Sequence, residues 1–159
     1  MPETEETLPF FRIAVLDDVP STLAMTKMVL ESQLECEVKT YSTAEAILDL
    51  SPSDYPDLFL LDIVMEGMDG LELCRRLKEN PETAAIPVIF LSAHGDCEGR
   101  VTALQAGGVD YIDKPFYPEE LHARIRTQIL LHHSARQLRQ QTAEQQALLR
   151  ILCHDCFST

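Results

Sequence analysis

The sequence is short of positive charge, of aromatic rings and of long apolar runs, and the first and last of these shortages each exclude a class of function. Thirteen lysines and arginines stand against 26 aspartates and glutamates, giving a formal net charge of −13 and a pI near 4.6. So acidic a surface repels phosphate backbones, and no nucleic-acid partner is expected. No apolar stretch reaches the roughly 20 residues that cross a bilayer. The start of the chain lacks the basic-then-apolar layout of a signal peptide. No membrane partner is therefore expected, and the expected location is cytoplasmic. The five cysteines, an odd number scattered along the chain, suit a reducing compartment better than a disulfide framework. Tryptophan is absent, and there is no internal repeat or low-complexity segment. At 159 residues the chain can hold one domain with a real core and a modest extension.

What the sequence does have is a set of short apolar runs that end on polar side chains. Ile13–Leu16 runs into Asp17-Asp18, Leu58–Leu61 into Asp62, Val88–Leu91 into Ser92, and Tyr111-Ile112 through Asp113 into Lys114-Pro115. Such runs read as parallel strands buried on both faces. A further strand is expected over 37–40. Between the strands lie segments of helical period. Pro20 suits a first helical position, followed by Leu23, Lys27 and Leu30. Ser42-Thr-Ala-Glu45 has the form of a capping box opening a helix through Leu50. Gly70 opens a third helix, with Leu71, Cys74 and Leu77 on one face and Asn80-Pro81 as its stop. A fourth runs from about Asp96 to Ala106, closed by Gly107-Gly108. A fifth starts at Pro118-Glu119 with Leu121, Ile125 and Ile129. Five alternations of strand and helix define an α/β, doubly wound, five-stranded parallel sheet.

The fifth helix has no stop signal: 132–153 contains neither glycine nor proline. Ala135, Leu138, Thr142, Gln145, Leu149 and Leu152 fall at heptad a/d spacing, two of them polar. The chain therefore divides into a disordered leader over 1–9, a domain over 10–131, and a long C-terminal helical extension over 132–159. That extension either pairs with a second copy as a homodimer or folds back on the domain.

In an open α/β sheet, ligands bind outside the carboxyl ends of the strands. Asp17, Asp18, Asp62, Ser92 and Lys114 should meet there. Three carboxylates in one place repel unless a cation sits among them, and hard oxygen donors suit Mg²⁺. An ionised Asp beside the metal can attack phosphorus to give an acyl phosphate. Asp62 is the candidate nucleophile, because it ends what should be the central strand and a glycine-containing loop follows. Lys114 would bring a point charge and Ser92 a hydrogen-bond donor to the phosphoryl oxygens. Ala93 is small enough to leave the approach open. The bond before Pro115 is left open between cis, which would aim the lysine inward, and the commoner trans.

These residues, with the loop Met65-Glu-Gly-Met-Asp-Gly70, Ser92-Ala93, Tyr111 and Lys114-Pro115-Phe116 in order, resemble the receiver domains of two-component response regulators, the CheY-like family. The resemblance covers about 10–131 and implies sheet order 2-1-3-4-5, a flavodoxin-like arrangement. It implies Asp62 as phosphoacceptor, Asp18 as direct Mg²⁺ ligand, Asp17 as ligand through water and the Val64 carbonyl as a further ligand. Ser92 and Tyr111 become a switch pair that alters the face built from the fourth helix, fifth strand and fifth helix. The implied partner is a histidine kinase or phosphotransfer protein. No turnover is implied beyond self-catalysed phosphotransfer and autodephosphorylation.

Three departures stand out. Glu66 occupies a position where the family usually has proline, which predicts a less rigid, more acidic loop. Gly108 stands where alanine is commoner, which predicts a looser start to the last strand. Val64 and His94 fill variable positions beside the acceptor. Met65 and Met68 read as loop packing and His132-His133 as exposed. Cys153-His-Asp-Cys156 has C-x-x-C spacing without the second cysteine pair of a zinc site. Leu152-Cys-His154-Asp155 resembles the start of a histidine-kinase phosphoacceptor motif, which would make the chain the receiver portion of a larger hybrid kinase. A phosphorylation-independent scaffold is the remaining alternative. A haloacid-dehalogenase-type phosphatase is disfavoured, since the first strand does not end in Asp-x-Asp.

Overall fold

The structure, a computed structural model, describes residues 9–93 and 97–157, without the side chains at 97–98, 136–137, 139–143 and 148–157. The expected leader, apart from Pro9, lies outside the described residues, as do His94 and the side chains of Cys153, His154, Asp155 and Cys156.

Each apolar run forms a strand: β1 (Phe11–Leu16), β3 (Leu58–Asp62), β4 (Val88–Ser92) and β5 (Asp110–Asp113). β2 (Cys36–Tyr41) extends one residue beyond the expected strand at each end. All five pair in parallel in the order β2-β1-β3-β4-β5. The helices are α1 (Pro20–Gln33), α2 (Ala44–Leu48), α3 (Gly70–Glu79), α4 (Cys97–Gln105) and α5 (Pro118–Phe157), with a single 3₁₀ turn at Pro52–Asp54.

Alternation along the strands explains why the runs are apolar throughout. Ile13, Val15, Leu58, Leu60, Ile89, Leu91 and Ile112 point to one face, where Leu23 and Leu30 of α1 and Leu121, Ile125 and Ile129 of α5 cover them. The intervening Ala14, Leu16, Phe59, Leu61, Val88, Phe90 and Tyr111 point to the other face. There they meet Ala44 and Ile47 of α2, Leu73, Cys74 and Leu77 of α3, and Ala103 of α4. Leu58, Leu60 and Leu61 are fully buried, and each such leucine is worth roughly 1.5–3 kcal/mol relative to an exposed one.

Local signals place most helix ends. Pro20 occupies the first turn of α1, where its missing N–H costs nothing. The Asp69 carboxylate caps α3 by accepting from Glu72 N at 2.8 Å. α4 runs out at Gly107, whose φ of +108° suits glycine, and Gly108 N closes onto the Ala103 carbonyl at 3.1 Å.

Three expectations need correction. The cap of α2 is Thr43 rather than Ser42: its hydroxyl accepts from Ala46 N at 3.3 Å, and the helix stops at Leu48 rather than Leu50. Gly108 does not loosen the start of β5. A Cβ there would stand 2.5 Å from Phe90 Cε2 and 3.1 Å from the Ala103 carbonyl oxygen, so the glycine is the space into which the Phe90 ring packs. His132 and His133 are half-buried rather than exposed, because α5 passes the amino ends of β1 and β3 at that point. Met65 and Met68 do pack, partly buried, against the α2–α3–α4 side of the core.

Candidate functional site

Parallel register sets the strand tips level. Leu16 lies opposite Leu61, Asp62 opposite Leu91 and Ser92 opposite Asp113, so Asp17, Asp62, Ser92 and Lys114 emerge at one edge of the sheet. Carboxylate oxygens of Asp17, Asp18 and Asp62 lie within 4.8 Å of one another. The Lys114 ammonium bridges two of these carboxylates, 2.7 Å from Asp17 Oδ2 and 3.3 Å from Asp62 Oδ2. The other Asp17 oxygen accepts from Val19 N at 2.9 Å, which ties the carboxylate to the start of α1. Lys114 is itself anchored: its backbone N–H donates to the Ser92 carbonyl at 2.7 Å, and its bond to Pro115 is cis.

Asp17 and Asp62 are buried and Asp18 is exposed, so the cluster opens to solvent on the Asp18 side. Burial pushes the Asp62 carboxyl above its ordinary value. The Lys114 charge opposes that rise, Asp17 adds to it, and hydrogen bonds from Lys114 and from the Val64 N–H again oppose it. Three carboxylates against one ammonium leave the cluster with net negative charge built from hard oxygen donors. Those properties fit a small divalent cation such as Mg²⁺.

The loop after β3 is shaped by two glycines. Gly67 has φ +80°, and at Gly70 a Cβ would collide with the Asp62 carbonyl oxygen. The first turn of α3 therefore rests directly on the tip of β3, with Gly70 N donating to the Ile63 carbonyl at 3.1 Å. The Val64 side chain and Ala93 are exposed.

Ser92 is buried beside Asp62's strand, and the Tyr111 ring is buried on the α4 side of the sheet. Sequence reasoning missed two residues here, Arg100, which stands over that ring, and Asp113, which holds it. The Arg100 guanidinium of α4 lies 5.6 Å from the Tyr111 ring centroid and pairs with Asp113 Oδ2 at 2.9 Å. The remaining Asp113 oxygen is buried without a hydrogen-bond partner among the described residues. One signal was available: Asp113 puts a charge inside a strand end that is otherwise apolar up to Lys114. Two clefts, of about 340 and 180 Å³, lie at the opposite, amino end of the sheet. Asp57 and His132 line both, and neither cleft reaches the acidic cluster.

Comparison with known proteins gives the same class. Residues 13–126 match the family model of the response regulator receiver domain. The chain belongs to that family, the receiver domains of two-component signalling. It is 37% identical over 119 residues to response regulator PleD of Caulobacter vibrioides, covering 73% of this chain and 25% of PleD. It is 36% identical over 118 residues to the phosphate regulon transcriptional regulatory protein PhoB of Rhizobium meliloti, covering 74% of this chain and 52% of PhoB. The chain thus spans a quarter to about half the length of these relatives. Among solved structures, the BeF3-activated DrrB receiver domain superposes with a TM-score of 0.66 at 34% identity, over 76% of this chain and 98% of that one. No helix among the described residues is long and apolar enough to cross a membrane.

Proposed function

We propose that this chain accepts a phosphoryl group on Asp62 from the phosphohistidine of a histidine kinase or phosphotransfer protein, with Mg²⁺ as cofactor. The observation that carries the reading is the position of the Asp62 carboxylate. It ends the central strand, sits beside the exposed Asp18, and lies 3.3 Å from the Lys114 ammonium within the three-carboxylate cluster. A carboxylate oxygen of Asp62 forms the new bond to phosphorus as the phosphorus–nitrogen bond to the donor imidazole breaks. The electron pair leaves with the imidazole, which takes up a proton. Lys114 neutralises charge on the transferring oxygens and Ser92 supplies a hydroxyl donor to them. Asp17, Asp18 and Asp62, with the Val64 carbonyl, are the groups that would hold Mg²⁺. When bound, the ion would offset the repulsion between the carboxylates and the incoming phosphoryl group.

In this reading residues 10–131 form the receiver and act in the cytoplasm. Ser92 and Tyr111 form the switch acting on the α4–β5–α5 face, and the extension from His132 pairs two copies. Intact mass spectrometry after incubation with acetyl phosphate and Mg²⁺ tests the acceptor: one added phosphoryl group is expected on the parent and none on Asp62→Asn. A phosphoryl group retained on the mutant overturns Asp62 as the acceptor.

A further inference from the structure

The contact between Arg100, Asp113 and Tyr111 has no role in phosphoryl transfer itself, yet it joins α4 to the end of β5 directly over a buried tyrosine. Tyr111 belongs to the cluster that includes Ala103 of α4 and Phe90 of β4, and Phe90 is its register partner across the sheet. Asp113 is the register partner of Ser92, whose carbonyl also receives the Lys114 N–H at 2.7 Å. A side chain held by Asp113 is thus tied to the same two strand ends that carry Ser92 and Lys114.

We propose that Arg100 is a positioning residue for Tyr111: fixed by its ion pair with Asp113, its guanidinium covers the ring face and holds the tyrosine inward before any phosphoryl group arrives. Arginine suits the task because its planar guanidinium can stack on a ring with its face while its edge donates to a carboxylate. Asp113 in turn has only Arg100 as an ion-pair partner among the described residues, and its other oxygen is buried and unpartnered. Swinging Arg100 away would leave the paired oxygen to water alone, which favours the three residues moving together. Arg100 and Asp113 are each about half exposed, with side-chain accessibilities of 51% and 42%. An ion pair and cation–π contact of that exposure shift a two-state equilibrium by roughly three- to tenfold, enough to bias the ring without locking it. The inference rests on reading Ser92 and Tyr111 as the switch of an Asp62 phosphoacceptor.

The experiment uses the full chain labelled with 3-fluorotyrosine, the Tyr111 signal being assigned by its loss in Tyr111→Phe. In the parent without phosphodonor, the ¹⁹F signal is expected at its buried position. In Arg100→Ala and in Asp113→Asn it should move toward the solvent-exposed position, three- to tenfold in population. Addition of beryllofluoride and Mg²⁺ should restore it. Arg100→Lys, which keeps the charge but loses the planar stack, should restore it only in part. High salt should move the parent signal in the same direction as Arg100→Ala. An unchanged Tyr111 signal in Arg100→Ala, in protein whose melting curve matches the parent, overturns the proposal. Acyl-phosphate formation is followed by mass on the same samples. Its absence in the parent refutes the Asp62 reading, whereas a normal acyl phosphate with an unmoved ring refutes only the role of Arg100.

Discussion

Burial raises the pKa of Asp62, Lys114 and the Val64 N–H pull it back, and Asp17 adds to the rise. Between the ordinary carboxylate value and the raised one, the folded chain holds more protons than the unfolded chain. The contribution of this group to stability therefore falls as pH rises through that window and is least at neutral pH. Asp62→Asn removes the charge while keeping the shape. It is expected to raise the melting temperature of the metal-free protein at pH 7 by a few degrees. A mutant that melts below the parent would show that the Lys114 contact outweighs burial. Only the ionised carboxylate attacks phosphorus. Asp17, Asp62 and Lys114 were legible in the sequence because each interrupts an apolar run, and parallel strands carry their ends to one edge. Arg100 and Asp113 were not, since their pairing depends on how α4 docks against β5 and no local pattern encodes that.

The strands were the most legible elements. A buried parallel strand has no polar face, so a short apolar run bounded by polar residues marks β1, β3 and β4 by its length rather than by any period. Helix ends were legible where one residue type decides them, as at Pro20 and Gly107, and less so at Ser42-Thr43, where two adjacent hydroxyls compete for one cap. Gly108 shows where element-level reading fails. Its meaning depends on Phe90, which is distant in sequence and adjacent only across the β4–β5 pair. Gly108→Ala is expected to destabilise the domain by about 1–3 kcal/mol, the usual cost of overpacking. Phe90→Leu should relieve most of that penalty when the two are combined. Urea unfolding midpoints of the two single variants and the double variant decide the matter. Additive losses would mean that the methyl group and the ring never meet.

At the scale of the whole molecule, charge is unevenly divided. Beyond His133 the chain carries Arg136, Arg139 and Arg150 against Glu144 and Asp155, so the acidic excess lies in the receiver. Pairing through the extension would bring two acidic bodies together, and added salt should favour it. Sedimentation of the full chain against one ending at His133, in low and moderate salt, is expected to show a dimer only for the full chain, stronger in the higher salt. A dimer that survives truncation would place the contact on the receiver itself. Among the described side chains of α5, Ile129 is the last buried one, and Leu131 and Leu138 are 59% and 64% exposed. The backbone nonetheless stays helical from Pro118 to Phe157 without interruption. Its root is gripped by the Leu121, Ile125 and Ile129 packing and by His122, whose Nε2 meets the Val29 carbonyl of α1 at 3.0 Å. From His133 onward the helix is a lever arm of about 36 Å at 1.5 Å per residue. A tilt of about 5° at the root would carry its far end sideways by about 3 Å over that length. A helix that tilts as one piece would convert angle into distance, so a small repacking at its root would become a displacement comparable to the offset between neighbouring side chains at its tip.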